Sequence, residues 1–441
     1  MPVFVTGRWY YDTGQSSEDG IFLIAEYSRL SMRIAVWHDP PMGGAQRALS
    51  EMLRRLPEHG HAVDIYRLGR VGDDATSENA YGLPARVIPF QPRRHQRLAF
   101  YWNDFLSYRD FCDEEQLEAD LARSLDNAEY DVVLCSVLRW GIAPSLLRFC
   151  RTPSVYYCHE PPRRFYEPWC RPDAAPLSLF ERSRLLWRWP SQQLLDRWVQ
   201  AHDRSNVQSA SLVLSNSRYT QQTVQKVYGL AAEVCYLGVD CTRFYPGTAV
   251  KRGVGVVTVG ALEAHKGFDF LIEALALLPQ DIRPPLTIVG SGGHPNMPAH
   301  LGRMAAEHGV SLIVRRGLSD TELIHLYQSS AAFVFGARME PFGLVLLEAM
   351  ACALPVVAVG EGGVPEAVID DVTGYLTPRS PQIFADRLKE VLCSTDLRES
   401  LGNAARRNVE ERWRWESAVS VLEAQLTRIA GLTDVAKPGS V

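Results

Sequence analysis

Short apolar runs, bounded by turns and separated by amphipathic stretches, recur along this chain in two arrays. The first opens at Met32-Arg-Ile-Ala-Val-Trp37. It predicts strands at 33–38, 61–66, 131–135, 154–158 and 212–216, with a helix from about 46 to 59 behind the first of them. The second follows Tyr245-Pro-Gly247, with strands predicted at 255–259, 286–289, 312–315, 332–335 and 355–359 and helices at 269–278 and 320–329. Strands that are apolar throughout, rather than alternating, belong to parallel sheets covered on both faces. The pattern therefore predicts an α/β fold of two doubly wound, Rossmann-like parallel-sheet domains facing a cleft. The boundaries read as 32–245 and 246–425, with a hinge at 241–253 and a C-terminal tail at 426–441. Residues 1–31 lack the pattern of a domain start and read as a flexible extension, or as a stretch ahead of the native start. In such folds ligands sit where loops cluster at the C-terminal strand ends.

Composition narrows the picture. The chain has 441 residues, enough for two domains, and a net charge of −5, which argues against nucleic acid as the main partner. No apolar run approaches the roughly 18 residues of a spanning helix. The nine cysteines are scattered, with no Cys-x-x-Cys pair, so free thiols in a reducing, cytoplasmic setting are expected. Arginines interleave with aromatics over 91–109 and 161–199. Two readings stay open there: peripheral contact with an anionic membrane at its inner face, or a helical pair covering the first sheet with its aromatics inward.

Candidate chemistry concentrates in Glu340-Pro-Phe-Gly-Leu-Val-Leu-Leu-Glu348, read as a strand end, a tight turn and a buried helix. Such a turn offers free N–H groups and a positive helix end to an anion. Glu348 lies roughly 12 Å further along at 1.5 Å per residue, so the two carboxylates suit different parts of one long ligand. Lys266, ahead of a helix, can neutralise a leaving diphosphate. His159, at a strand end fixed by Glu160-Pro-Pro-Arg163, can donate to a sugar hydroxyl. Gly43-Gly44-Ala45 leaves room for a diphosphate at the next helix. The Gly-x-Gly-x-x-Gly and Walker A patterns are absent, as is an Asp-x-Asp pair for a metal, so metal-free chemistry is expected.

Taken in order, Gly43-Gly-Ala45, Tyr157-Cys-His-Glu-Pro-Pro-Arg163, Ser215-Asn-Ser217, Gly238-Val-Asp240, Gly260-Ala-Leu-Glu-Ala-His-Lys-Gly267, Val289-Gly-Ser-Gly292, Glu340 to Glu348 and Gly362-Gly-Val-Pro-Glu366 resemble a retaining glycosyltransferase of family 4, with GT-B architecture. The resemblance spans about Met32 to Gln425. It implies a hexosyltransferase, as in polysaccharide biosynthesis, that moves a sugar from a nucleotide diphosphate sugar to a glycan, lipid-linked or other hydroxyl acceptor. No cofactor or metal is implied beyond that co-substrate. The resemblance casts His159, Lys266 and Glu340 as catalytic. It casts Gly43, Gly44, Lys266, Glu340, Phe342, Gly343, Leu344 and Glu348 as donor-binding, with Glu340 on the sugar and Glu348 on the ribose. The Cys-His-Glu-Pro-Pro-Arg segment resembles mannosyltransferases. One departure is Ala261, where the family usually places an arginine; Arg47 or another arginine is a candidate to compensate at the phosphate, or Lys266 works alone. Two rivals keep the fold: a nucleotide-sugar 2-epimerase, and a non-catalytic nucleotide-sugar-binding subunit.

Overall fold

The computed structural model describes residues 3–5, 8–10, 31–38, 43–69, 84–90, 100–138, 142–167, 179–247 and 252–431. Residues 1–30 and 31–441 form two separate units. In the first, β1 (Val3–Val5) pairs antiparallel with β2 (Arg8–Tyr10), with Phe4 opposite Trp9. No element was expected there, although β-branched and aromatic residues suit a pleated pair.

The second unit holds two parallel sheets. The first comprises β3 (Arg33–Trp37), β4 (Ala62–Gly69), β5 (Ala85–Pro89), β6 (Val132–Ser136), β7 (Ser154–Cys158), β8 (Leu212–Ser215) and β9 (Glu233–Val234), in the order β5-β4-β3-β6-β7-β8-β9. The second comprises β10 (Val256–Leu262), β11 (Leu286–Gly293), β12 (Leu312–Arg316), β13 (Ala332–Phe335), β14 (Val356–Val359) and β15 (Gly374–Thr377), in the order β12-β11-β10-β13-β14-β15. Each is doubly wound, so its strand order reverses at one point: between β3 and β6, and between β10 and β13. The crevice outside such a reversal is where this architecture binds ligands. All four residues of β13 and of β14 are buried, which explains their unbroken apolar runs.

Around the first sheet lie α1 (Gly44–Leu53), α2 (Phe100–Asn127), α3 (Leu146–Phe149), α4 (Arg163–Tyr166), α5 (Leu179–Gln208) and α6 (Arg218–Tyr228). Around the second lie α7 (Phe268–Ala276), α8 (Met297–Glu307), α9 (Asp320–Ser329), α10 (Leu344–Ala351), α11 (Val364–Ala367), α12 (Pro381–Cys393) and α13 (Thr395–Arg412), and α14 (Trp415–Gly431) follows on the first domain. The start of α9 is set by a reciprocal cap between Ser319 and Glu322. Helix α1 stops at Leu53, short of the expected 59; Pro57 cannot continue a helix interior and opens a separate 3-10 turn at Pro57–His59.

The chain crosses between the domains twice. It leaves the first near Val239 and returns through Trp413–Trp415, and the Val239 amide donates to the Trp413 carbonyl at 2.8 Å. Gly238 packs directly on the returning backbone, where a Cβ would lie 2.5 Å from the Trp415 nitrogen. The expected boundary at 425 falls inside α14, which packs on α1, β6 and β7 of the first domain. Its buried Ala418, Val419, Leu422, Leu426 and Ile429 form one helical stripe. One apolar core joins the domains through Leu237, Phe244, Phe342, Trp413 and Trp415.

Of the arginine-aromatic segments, residues 91–99 and 168–178, and the side chains through 192, lie outside the described residues. Helices α2 and α5 pack on each other as the helical-pair reading expects. Trp198 of α5 meets Tyr108 and Phe111 of α2 at ring distances of 4.8 and 4.7 Å. All eight cysteines among the described residues are free, and no helix there is long and apolar enough to cross a membrane.

Candidate active site

The loops after β10 and β13, the two strands at the reversal of the second sheet, meet side by side. Lys266 ends a 3-10 turn at Ala264–Lys266, and Gly267 follows with φ 66°. A Cβ on Gly267 would stand 1.9 Å from the Gly336 carbonyl oxygen, so only glycine lets the turn press against the end of β13. That approach brings Lys266 Nζ to 2.9 Å from Glu340 Oε2. Burial opposes charge on both groups, but each outweighs it for the other. Glu340 holds the ammonium above its ordinary pKa, and Lys266 holds the carboxyl below its own.

The Glu340 loop is fixed on every side. The Arg338 amide donates to the His265 carbonyl at 2.7 Å, and the Gly363 amide donates to the Glu340 carbonyl at 2.7 Å. Met339 holds a positive φ of 47°, a strained conformation for a residue with a side chain. Gly343 at φ 90° turns the chain into α10, whose first amides from Leu344 lack partners within the helix. The Phe342 side chain is core, between Tyr236 and Trp413, so only its backbone can serve a ligand.

Glu348, on the buried face of α10, is 2% exposed. Arg47 Nη1 of α1 stands 3.0 Å from its Oε1, and the Tyr327 hydroxyl donates to Oε2 at 3.2 Å. Burial raises its pKa, partly opposed by Arg47 and Tyr327. Arg47, one of the candidates to compensate for the arginine missing at Ala261, is paired with Glu348 and with Asp320, each at 3.0 Å. Ala261 lies in β10 opposite Ser291, at an irregularity in the ladder.

From the first domain, His159 closes β7. Its carbonyl accepts from Asn216 Nδ2 at 2.9 Å, and its ring lies 4.8 Å from that of Tyr157. Burial lowers its pKa to about 4, so the imidazole is neutral at physiological pH. Its Nε2 has no hydrogen-bond partner among the described residues. A second buried histidine, His38 at the end of β3, is also held neutral, by burial and by its neighbour His159. Gly43 caps α1, and a Cβ on Gly44 would meet nothing within 4 Å. The loop ahead of them, 39–42, lies outside the described residues.

Three contacts tie the domains at this crevice. Arg163 Nη2 donates to the Arg338 carbonyl at 2.7 Å, and Ser217 Oγ donates to the Pro341 carbonyl at 2.6 Å. Glu366 accepts from the Arg218 and Tyr219 amides at 2.9 Å each and from the Tyr236 hydroxyl at 2.8 Å, so one domain caps a helix of the other. Beside them opens a cleft of about 380 Å³, lined by Glu160, Arg163, Tyr166, Tyr219, Met339 and Pro341 among others. The sequence reading quoted Glu366 only as part of a motif and missed Tyr327, Asp320 and His38. For Glu366 a signal existed, an acidic residue after a Gly-Gly turn; an ordinary helical tyrosine such as Tyr327 gives none.

Both domains of the chain are similar to known proteins. Residues 42–243 match the model described as Glycosyltransferase Family 4, and residues 249–408 match Glycosyl transferases group 1. An uncharacterized glycosyltransferase of Methanocaldococcus jannaschii is 26% identical over 410 residues, covering 88% of this chain and 95% of that protein. A D-inositol 3-phosphate glycosyltransferase of Jonesia denitrificans is 34% identical over 250 residues, 51% of this chain and 58% of that protein. The chain thus spans little more than half the length of that relative. Among solved structures, Anabaena HepE in complex with UDP and glucose superposes with a TM-score of 0.65 at 20% identity, covering 90% of this chain and all of that one. Sucrose-phosphate synthase of Thermosynechococcus elongatus gives 0.66 at 20% identity, over 92% of this chain and all of that one. These likenesses carry the fold, and the two adjoining family models, which between them take in most of the chain, carry the kinship: the protein belongs to the family 4, group 1 glycosyltransferases of GT-B architecture.

Proposed function

We propose that this protein transfers a hexose from a nucleoside diphosphate sugar to a hydroxyl acceptor, with retention at the anomeric carbon and without a metal ion. The observation that carries the reading is the Lys266–Glu340 pair at the start of α10. It sets a charged ammonium and a carboxylate beside unpaired helix amides, in a crevice shared with His159. Glu340 accepts hydrogen bonds from sugar hydroxyls, Glu348 from the ribose, and Lys266 with the α10 amides receives the pyrophosphate. The acceptor enters from the first domain, by way of the cleft at Glu160 and Tyr219.

In the reaction the acceptor oxygen forms its bond to the anomeric carbon as the bond from that carbon to the diphosphate breaks. The acceptor proton passes to the departing phosphate oxygen. Negative charge grows on the diphosphate as that bond stretches, and a preorganised ammonium stabilises it there. His159, neutral and with Nε2 unpartnered among the described residues, donates to a hydroxyl of the transferred sugar. Closure of the domains excludes water and suppresses hydrolysis of the donor.

The test is to incubate the protein with UDP-glucose, GDP-mannose and related donors, with and without sugar acceptors, in EDTA. Nucleoside diphosphate release and the anomeric configuration of the product are followed by NMR. Acceptor-dependent release with an α-linked product from an α-linked donor is expected. A 2-epimer formed without acceptor, or tight donor binding with no turnover, would overturn the transfer reading.

A further inference from the structure

Glu348 is gripped by residues of both domains, each on a different oxygen. Arg47 takes Oε1 at 3.0 Å and the Tyr327 hydroxyl takes Oε2 at 3.2 Å. Neither partner is loose. The other guanidinium nitrogen of Arg47, Nη2, lies 3.0 Å from Asp320 Oδ1, and the guanidinium lies over the Phe244 ring at 5.4 Å. Tyr327 is fully buried against Phe244 and Phe333. A carboxylate has about four acceptor positions, two on each oxygen. With one position used on each, one remains on each, which matches two adjacent hydroxyls of a ribose. Each terminal nitrogen of Arg47 faces a carboxylate, Nη1 that of Glu348 and Nη2 that of Asp320.

We infer that Arg47, although in the first domain, is the positioning residue of the donor's ribose site: it holds Glu348 charged and oriented, so the site is complete only when the domains are together. The inference rests on the ribose role of Glu348 given under Proposed function. A carboxylate this deeply buried takes up a proton once its cation is removed, and a protonated carboxyl no longer presents a matched pair of acceptors. The charged and titratable groups around Glu348 are Arg47 and Glu51 from α1, Asp240 and Arg243 from the segment between the domains, Tyr327 and, behind Arg47, Asp320 from α9, and the Cys352 thiol at the end of α10. Arg243 pairs with Asp320 and with Glu51, and of the two arginines Arg47 is the one within ion-pair distance of Glu348, at 3.0 Å.

The experiment measures binding of UDP and uridine, and of GDP and guanosine, to the full chain between pH 6 and 8.5. It uses the wild type, Arg47→Met, Arg47→Lys and Glu348→Gln, and the Arg47→Met/Glu348→Gln double variant. For whichever pair binds, Arg47→Met is expected to weaken nucleoside and nucleoside diphosphate alike, about tenfold, as for loss of one charge-assisted hydrogen bond. The loss grows toward pH 6, Arg47→Lys restores most of it, and Arg47→Met adds nothing in the Glu348→Gln background. A loss confined to the diphosphate form, or one unchanged by pH and by Glu348→Gln, overturns the inference and leaves the donor site standing. Wild-type protein that binds no nucleoside diphosphate overturns the donor site itself and the inference with it.

Discussion

Glu340 and Glu348 share one turn and helix, yet their partners come from different places. Glu340 is paired with Lys266 inside the second domain, through two loops that the Gly267–Gly336 contact locks together. Glu348 is paired with Arg47 from the opposite domain, across the crevice. The first pair persists in any arrangement of the domains; the second exists only when they meet. In the function proposed above, the sugar-and-phosphate half of the candidate site is thus built in, and the nucleoside half is assembled.

The largest effect should fall on the built-in half. Lys266→Ala is expected to lower kcat/KM by roughly 10²-fold or more with modest change in nucleotide affinity, as for loss of a preorganised charge that acts in the transition state. Wild-type kinetics in that variant would remove the pair from the chemistry. Glu348→Gln should act on the assembled half, weakening nucleoside diphosphate binding about tenfold by calorimetry and leaving kcat nearly intact. A kcat effect as large as that of Lys266→Ala would erase the distinction between the halves. Glu366→Ala removes a cap supplied from the other domain and is expected to destabilise the fold by about 1–2 kcal/mol in urea unfolding. An unchanged midpoint would show that the clamp contributes nothing to stability.

A further expectation concerns pH. His159 titrates near 6.5 when unfolded but only at about 4 when folded, so the unfolded chain binds more protons between those values. Its contribution to stability is complete above about pH 6.5 and is lost as pH falls toward 4, by at most about 1.4 kcal/mol per pH unit. His159→Phe should flatten that acid limb. Activity of the wild type should show no limb from this imidazole near pH 6.5, and a limb that vanished in His159→Phe would contradict a neutral His159.

What was legible in the sequence follows from what patterning encodes. Fully buried strands announce themselves as apolar runs, so β7 and β13 lie at the predicted positions and most others within a few residues. Besides the β1–β2 pair, three strands of the two sheets escaped. β5 is partly exposed, β9 has two residues, and β15 includes a glycine, Gly374, that packs against Val356. Lys266, Glu340 and His159 stand out in the sequence because they sit in turn-bounded motifs at strand ends, and Glu348 because it is a carboxylate within an apolar helix. Partnerships across the crevice were not. Nothing local in Ala45-Gln-Arg47 points to Glu348, about three hundred positions away, and a tyrosine on an ordinary amphipathic helix looks like core until its hydroxyl is placed. The α14 stripe could have been found, since its apolar spacing is plain; what it packs against could not.

The double passage of the backbone between the lobes restricts how they can move. A single linker would permit swivel in any direction, but two adjacent strands of chain, bonded to each other at Val239 and Trp413, behave like the two leaves of a door on one pin. A rotation about that seam is the opening that keeps the Val239–Trp413 bond, and in such a rotation the edges farthest from Phe342 and Trp413 would sweep the widest path.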